Sequence, residues 1–180
     1  QFTEAQIDSI IRYNRMFFFD YYKPMERKEE FSMDQCRQAL DYFWNYVEYD
    51  DEHNDFPQVG RCYYEMAKEN PEYADSVRIV YEMGVQKFPE SDYLHNALGM
   101  IYKTEGDLEK AEEHFLKAAE IDPDKPEYWE PLTEIYQQMG EWDKAREAAE
   151  KVLALDPSNA TVRDRLENIM REHFTPEEYI

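Results

Sequence analysis

An all-α chain, built as a solenoid of helix–turn–helix units, is the fold class that the sequence predicts, and three observations predict it. Pro89, Pro123 and Pro157 stand 34 residues apart, twice, and the segments between them align without gaps. Inside each segment, apolar side chains return at helical spacing in two stripes parted by a glycine. Composition agrees: only 5 of 180 residues are Gly, while Glu, Lys, Ala and Leu are plentiful, and these are good helix formers.

The elements follow in order. Thr3 and Gln6 form a capping box, with Phe2 and Ile7 as its hydrophobic staple. Ile7, Ile10, Ile11, Phe17, Phe18 and Tyr21 then mark the buried stripe of a first helix. Residues 23–32 read as a charged loop, and Ser32 with Gln35 caps a second helix. That helix carries Ala39 and Phe43 at the spacing of Ala111 and Phe115 further on, so residues 1–56 form a degenerate helix pair. Residues 50–55 (DDEHND) link it to the rest.

Residues 57–90 make a weak unit. Pro57 opens a helix with Val59, Tyr63, Tyr64 and Met66, and Asn70-Pro71 opens its partner with Val77, Tyr81 and Gly84. Residues 91–124 and 125–158 are clear units. Leu94, Leu98, Ile101 and Tyr102 form one stripe, and Gly106 ends that helix, where a positive φ costs glycine nothing. Asp107 caps the next helix, with Leu108, Ala111, Phe115 and Ala118. Residues 159–180 hold a last helix with Val162, Leu166, Ile169 and Met170, followed by "FTPEEYI". Thr175, Pro176 and Glu178 there read as the start of a further helix, stapled by Phe174 and Tyr179 and cut after one turn. The expectation is nine helices and no strand.

These residues resemble the tetratricopeptide repeat family. Leu98-Gly99, Tyr102, Gly106, Ala111, Phe115, Ala118 and Pro123 fit its pattern, as do Trp129, Leu132, Tyr136, Gly140, Trp142, Ala145 and Pro157 one period later. The second unit departs from it at Thr133, Ala149 and Val152. The resemblance implies a right-handed superhelix whose concave groove is lined by the first helix of each repeat. Carried over position by position, that groove comprises Val59, Cys62, Tyr63 and Met66, and then Tyr93, Asn96, Met100 and Lys103. It continues with Glu127, Glu130, Glu134 and Gln137, and ends with Thr161, Asp164, Asn168 and Arg171. Chaperone-binding members hold a C-terminal carboxylate there with basic side chains. Three glutamates in the third set would repel such a tail. A segment carrying apolar and basic residues complements this groove better.

The net charge is −21, from 41 acids and 20 bases, and residues 1–56, 57–122 and 123–180 each carry −7. No basic face exists to neutralise phosphates, which argues against nucleic acid as a partner. No apolar run reaches the roughly 20 residues that span a bilayer, which argues against membrane insertion. The chain opens on Gln1, whereas initiation leaves Met or a small residue. A removed leading segment is therefore the expectation, which leans towards export to the periplasm or outside the cell, with the cytoplasm as the alternative.

No catalytic, metal or cofactor constellation is legible. His53, His95, His114 and His173 form no i, i+4 pair, and His95 stands where the next repeat has Trp129. DDEHND lacks the alternating acids and central glycine of a calcium loop and reads as a linker. Asn159-Ala160-Thr161 fits a glycosylation sequon, but Asn159 reads first as a residue at a helix start. Cys36 and Cys62 are expected as free thiols, since counting along an antiparallel hairpin sets them about 12 Å apart at ~1.5 Å per residue.

Two functions follow, neither of them enzymatic. One is an interaction scaffold that holds a peptide or partner protein in the groove. The other is self-association head to tail, into an oligomer or filament. Its ends would be Phe17, Phe18 and Tyr22 on one side, and Leu166, Ile169, Phe174 and Tyr179 on the other.

Overall fold

In the computed structural model, residues 2–28 and 32–175 are described. Among them are nine α-helices and no strand. The helices are α1 (Glu4–Lys28), α2 (Met33–Tyr46), α3 (Phe56–Glu69), α4 (Ala74–Lys87), α5 (Asp92–Glu105), α6 (Leu108–Ile121), α7 (Pro126–Met139), α8 (Trp142–Leu155) and α9 (Ala160–His173). A single 3₁₀ turn, Pro71–Tyr73, joins α3 to α4. No described helix is long and apolar enough to cross a membrane. The chain is of the helical-solenoid class, and its helices gather into two compact units, Gln1–Pro89 and Glu90–Ile180.

Local chemistry places the helix ends. The Gln6 backbone N–H donates to Thr3 Oγ1, and the Thr3 N–H donates back to Gln6 Oε1 (3.3 and 2.8 Å), which is the expected capping box. Gly106 and Gly140 take φ of 84° and 74° at the ends of α5 and α7, a conformation that side-chain-bearing residues rarely adopt. Asp107 and Asn159 accept from the backbone N–H of Lys110 and Val162 and so cap α6 and α9. Ser32 makes no such bond.

α1 differs from expectation. It runs on through the segment read as a charged loop, with Pro24 inside it, to Lys28. A proline removes one helical hydrogen bond. The fully buried Met25 next to it, and the buried Tyr22 one turn before, hold the helix in place against that cost.

In the first unit, rings form the spine of the core. Phe18 of α1 meets Phe43 of α2 at 6.1 Å, and Phe43 meets Phe56 of α3 edge-on at 5.3 Å. Beside this spine, Arg15 reaches the buried Asp55 through two hydrogen bonds (2.6 and 3.1 Å), and the Tyr46 hydroxyl donates to the same carboxylate at 2.8 Å. Asp50, Asp51 and Asp55 of DDEHND are therefore occupied by the protein itself. Asp50 accepts from the backbone N–H of Glu52 and His53, and Asp51 bridges to Lys87 at 2.7 Å.

In the second unit, Trp129 packs against Ala118, Ala119 and Tyr128 on one side and against Ala149, Val152 and Val162 on the other. The alanines make room for the indole. His95 is buried, with its Nδ1 3.0 Å from His114 Nδ1.

In each unit one helix pair, α3 with α4 and α5 with α6, makes a close approach at a glycine. A Cβ on Gly99 would lie 3.0 Å from the Phe115 ring, and a Cβ on Gly60 would lie 2.2 Å from the Tyr81 ring. Gly60 precedes its aromatic partner by 21 residues, but Gly99 precedes its own by 16. Five more residues therefore separate glycine from ring in the weak unit: α3 runs three residues further past Gly60 than α5 runs past Gly99, and the connection to α4, which holds the 3₁₀ turn, is two residues longer. A gapless 34-residue register fails there.

Two substitutions test this contact. Gly99→Ala should cost about 1 kcal/mol and Gly60→Ala about 3 kcal/mol, because the added Cβ would lie 2.2 Å from the Tyr81 ring against 3.0 Å from Phe115, so Tyr81 must move further. Urea unfolding followed by circular dichroism would measure both. The reverse order would show that the contact does not govern the first unit.

Candidate functional site

The site is built on α5, α7 and α9, the first helices of successive helix pairs in the second unit. Two polar stitches hold α5 and α7 side by side. At one end, Asp92 Oδ2 accepts from Lys125 Nζ and from the Tyr128 hydroxyl, each at 2.5 Å. At the other end, Lys103 bonds to Glu134, whose second oxygen takes Arg165 of α9 at 2.9 Å. Lys103, Glu134 and Arg165 are spaced 31 residues apart, twice, so each contact steps back one turn along the next helix.

These contacts move the acidities. Hydrogen bonds from Lys125 and Tyr128 hold the Asp92 carboxyl below the usual carboxylate range. Burial pushes Glu134 up, but the bonds from Lys103 and Arg165 outweigh it, and the net shift is downward. Burial, with the bond to Asp92, pushes the Tyr128 phenol up to about 12.

Between the stitches lies an open strip. Tyr93 and Met100 of α5 are 49% and 46% exposed. Asn96 is half-buried within it, Gln137 is half-buried about one turn beyond Glu134, and Glu127 and Glu130 of α7 have no ion-pair partner among the described residues. On α9, Asp164, Asn168 and Arg171 are exposed on the face that also carries Arg165, and Arg171 donates to Asn168 Oδ1 at 2.6 Å. Of the groove residues expected on these helices, Lys103 and Glu134 join α5 to α7. Glu134 differs in role: its charge is spent within the protein.

The expectation for the first unit needs correction. Met66 is 2% exposed, Val59 and Cys62 are fully buried, and Tyr63 accepts a hydrogen bond from Trp44 Nε1 of α2 at 3.2 Å. Val59, Cys62 and Met66 therefore line no open face, while Tyr63 is half-buried. When the units are aligned on the close-approach glycines instead, Pro57, Arg61 and Tyr64 fall on the inner face. Tyr64 is 54% exposed, with Lys68 Nζ 4.7 Å from its ring.

The expected self-association ends are likewise corrected. Phe18, Tyr22 and Ile169 are buried, Phe17 stacks on Tyr42 at 5.1 Å, and Leu166 packs on Ala149, Val152 and Val162. His173 stacks on Trp142 at 3.5 Å, and Arg146 covers Phe174 at 4.7 Å, so the end of α9 folds back onto α8. The outer face of α9 shows Arg163, Glu167 and other polar residues, as a capping helix does. Tyr179 and the rest of the expected final turn lie outside the described residues.

Residues 90–158 match the tetratricopeptide repeat family. They are tetratricopeptide repeats. Such repeats are in general non-catalytic modules for protein interaction. Among solved structures, MamA AMB-1 is similar at 17% identity and TM-score 0.70, covering 92% of this chain and 83% of that one. The first tetratricopeptide domain of Spaghetti (RPAP3), bound to the HSP90 peptide SRMEEVD, is 18% identical at TM-score 0.56, covering 64% of this chain and 88% of its own. The second such domain of human RPAP3, in complex with the HSP70 peptide SGPTIEEVD, is 18% identical at TM-score 0.55, covering 64% and 92%. No curated protein matches the chain in sequence. At these identities the similarity concerns the tetratricopeptide fold.

Acid should loosen the stitches. Both carboxyls sit below their usual range in the folded protein, so their contribution is present at neutral pH and is lost as pH falls through the carboxylate range. In thermal melts, Asp92→Asn with Glu134→Gln should lower the unfolding midpoint at pH 7 and flatten its decline towards pH 3. An unchanged slope would show that the stitches carry no pH-dependent stability.

Proposed function

We propose that the second unit is a peptide-binding module whose inner face takes an extended segment with apolar and basic side chains. One observation carries this reading: an exposed apolar pair, Tyr93 and Met100, lies beside the unpaired carboxylates of Glu127 and Glu130, on helices locked in register by Asp92 and Glu134. Tyrosine offers a large ring with a polar tip, and methionine adapts to varied side chains. A locked platform loses little entropy on binding, since its side chains are already positioned.

Charge then selects the ligand. The RPAP3 domains hold peptides ending in EEVD. On this chain, Glu127 and Glu130 oppose such a sequence and favour lysine or arginine. The role is that of a scaffold that recognises a short stretch of another protein.

The test is fluorescence anisotropy with two labelled peptides of equal length, one alternating Leu or Met with Lys or Arg, and the other ending in EEVD. The basic peptide should bind, with an affinity that falls as salt rises. Glu127→Lys with Glu130→Lys should weaken it at least tenfold, and Tyr93→Ala with Met100→Ala by a similar factor. Tighter binding of the acidic peptide, or no effect of the Glu→Lys pair, would overturn the reading.

A further inference from the structure

α1 carries an exposed stripe of mixed charge. Asp8, Arg12, Met16 and Asp20 follow one another at intervals of four residues, and Lys23 comes three later, so all five lie along one side of the helix. Each is exposed, Met16 by 53%, and Tyr13 beside it is 57% exposed. Phe19 is half-buried on the same side, with Arg15 and Lys23 each 5.1 Å from its ring centre. Among the described residues, none of Asp8, Arg12, Asp20 or Lys23 forms an ion pair, although opposite charges stand one turn apart on the same helix. Met16 and Phe19 also border a cavity of about 680 Å³ between α1 and residues 49–53, which leaves a recess on one flank of the stripe.

The stripe is complementary to its own reverse. Arg12 lies four residues before Met16 and Asp20 four after it. Tyr13 and Phe19 lie three residues to either side, and Asp8 and Lys23 lie eight before and seven after. Two such helices laid antiparallel, with both Met16 side chains on a two-fold axis, set Arg12 against the partner's Asp20 and Tyr13 against the partner's Phe19. Asp8 then falls beside the partner's Lys23. Symmetry makes each contact twice. We propose that this stripe is the interface of a homodimer, in which α1 of one chain pairs antiparallel with α1 of a second copy.

Overall charge decides where two copies can meet. Chains at −21 repel one another. The stripe is neutral, with two acids against two bases, and antiparallel pairing turns each charge towards its opposite. At about 0.15 M salt, charges further apart than ~8 Å are largely screened, whereas touching pairs are not. The paired length from Asp8 to Lys23 is roughly 23 Å at 1.5 Å per residue. One helix pair of that length buries less than the roughly 1,600 Å² of a standard interface, so the dimer is weak and forms at high concentration. It closes at two, unlike the head-to-tail association expected from the chain ends, and it does not involve the inner face of the second unit.

The experiment is sedimentation equilibrium of the full chain at about 0.15 M salt, from micromolar to millimolar protein. A monomer that passes to a dimer, and no further, is expected. Arg12→Asp alone and Asp20→Arg alone should each weaken the dimer at least tenfold, because each sets like charges face to face. The two variants mixed in equal amounts should dimerise again, because every facing pair in the mixed dimer is then opposite in sign. A register test accompanies this. Met16→Cys should be linked between copies by a short bismaleimide at least tenfold faster than Ile79→Cys, which stands 48% exposed on α4. The native Cys36 and Cys62 are buried free thiols. A chain that stays monomeric throughout, growth beyond the dimer, single charge reversals without effect, no recovery in the mixture, or equal linking at the two cysteine positions would each overturn the proposal.

Discussion

A hydrogen atom in place of a side chain, facing an aromatic ring, is the contact on which both units depend. Gly60 against Tyr81 and Gly99 against Phe115 let the two helices of a pair approach until ring meets backbone. That approach fixes how the helices cross, and the crossing decides which residues of the first helix face its partner and which face out. Leu98 and Val59 turn inward because they flank this contact, and Tyr64 and Met100 turn outward for the same reason. The inner face is thus a consequence of packing on the opposite side of the helix.

Charge acts within that frame. A chain with 41 acids and 20 bases cannot pair every carboxylate. Lys103, Lys125 and Arg165 are committed to Glu134 and Asp92, where each bond also holds two helices in register. Arg15 is committed to Asp55 in the first unit. Carboxylates such as Glu127 and Glu130 are left over on the inner face. Surface ion pairs are worth little singly, about 0–1 kcal/mol, but a bridged trio on three packed helices restricts sliding more than an isolated pair does.

Much of the fold was legible because several independent signals agreed. The proline period, the positive-φ glycines and the alanine–aromatic spacing all pointed to one register for residues 91–158, and Gly106, Gly140, Asp107 and Phe115 stand where that register puts them. It failed in the first unit because the prolines were taken as the frame. Five residues inserted between Gly60 and Tyr81 leave the outer spacing looking regular while rotating α3, which is why Met66 and Cys62 were assigned to a groove and lie in the core. The charge of residues 23–32 misled too, since it was read as a loop where α1 continues through Pro24 to Lys28 beside the buried Tyr22 and Met25. On the candidate site, Tyr93, Met100, Glu127 and Glu130 were expected from the family resemblance, and each is exposed or half-buried. Arg165 was missed, although the 31-residue spacing of Lys103, Glu134 and Arg165 was there to be seen.

The frame set by the glycines is tested most directly by hydroxyl-radical footprinting of the native chain, read by mass spectrometry at each methionine and tyrosine. Met100, Tyr93 and Tyr64 are expected to be modified at least tenfold faster than Met66, Met25 and Tyr46, since the first three face out and the others are buried. Modification of Met66 as fast as Met100, or protection of Tyr64, would contradict the frame and the inner face built on it.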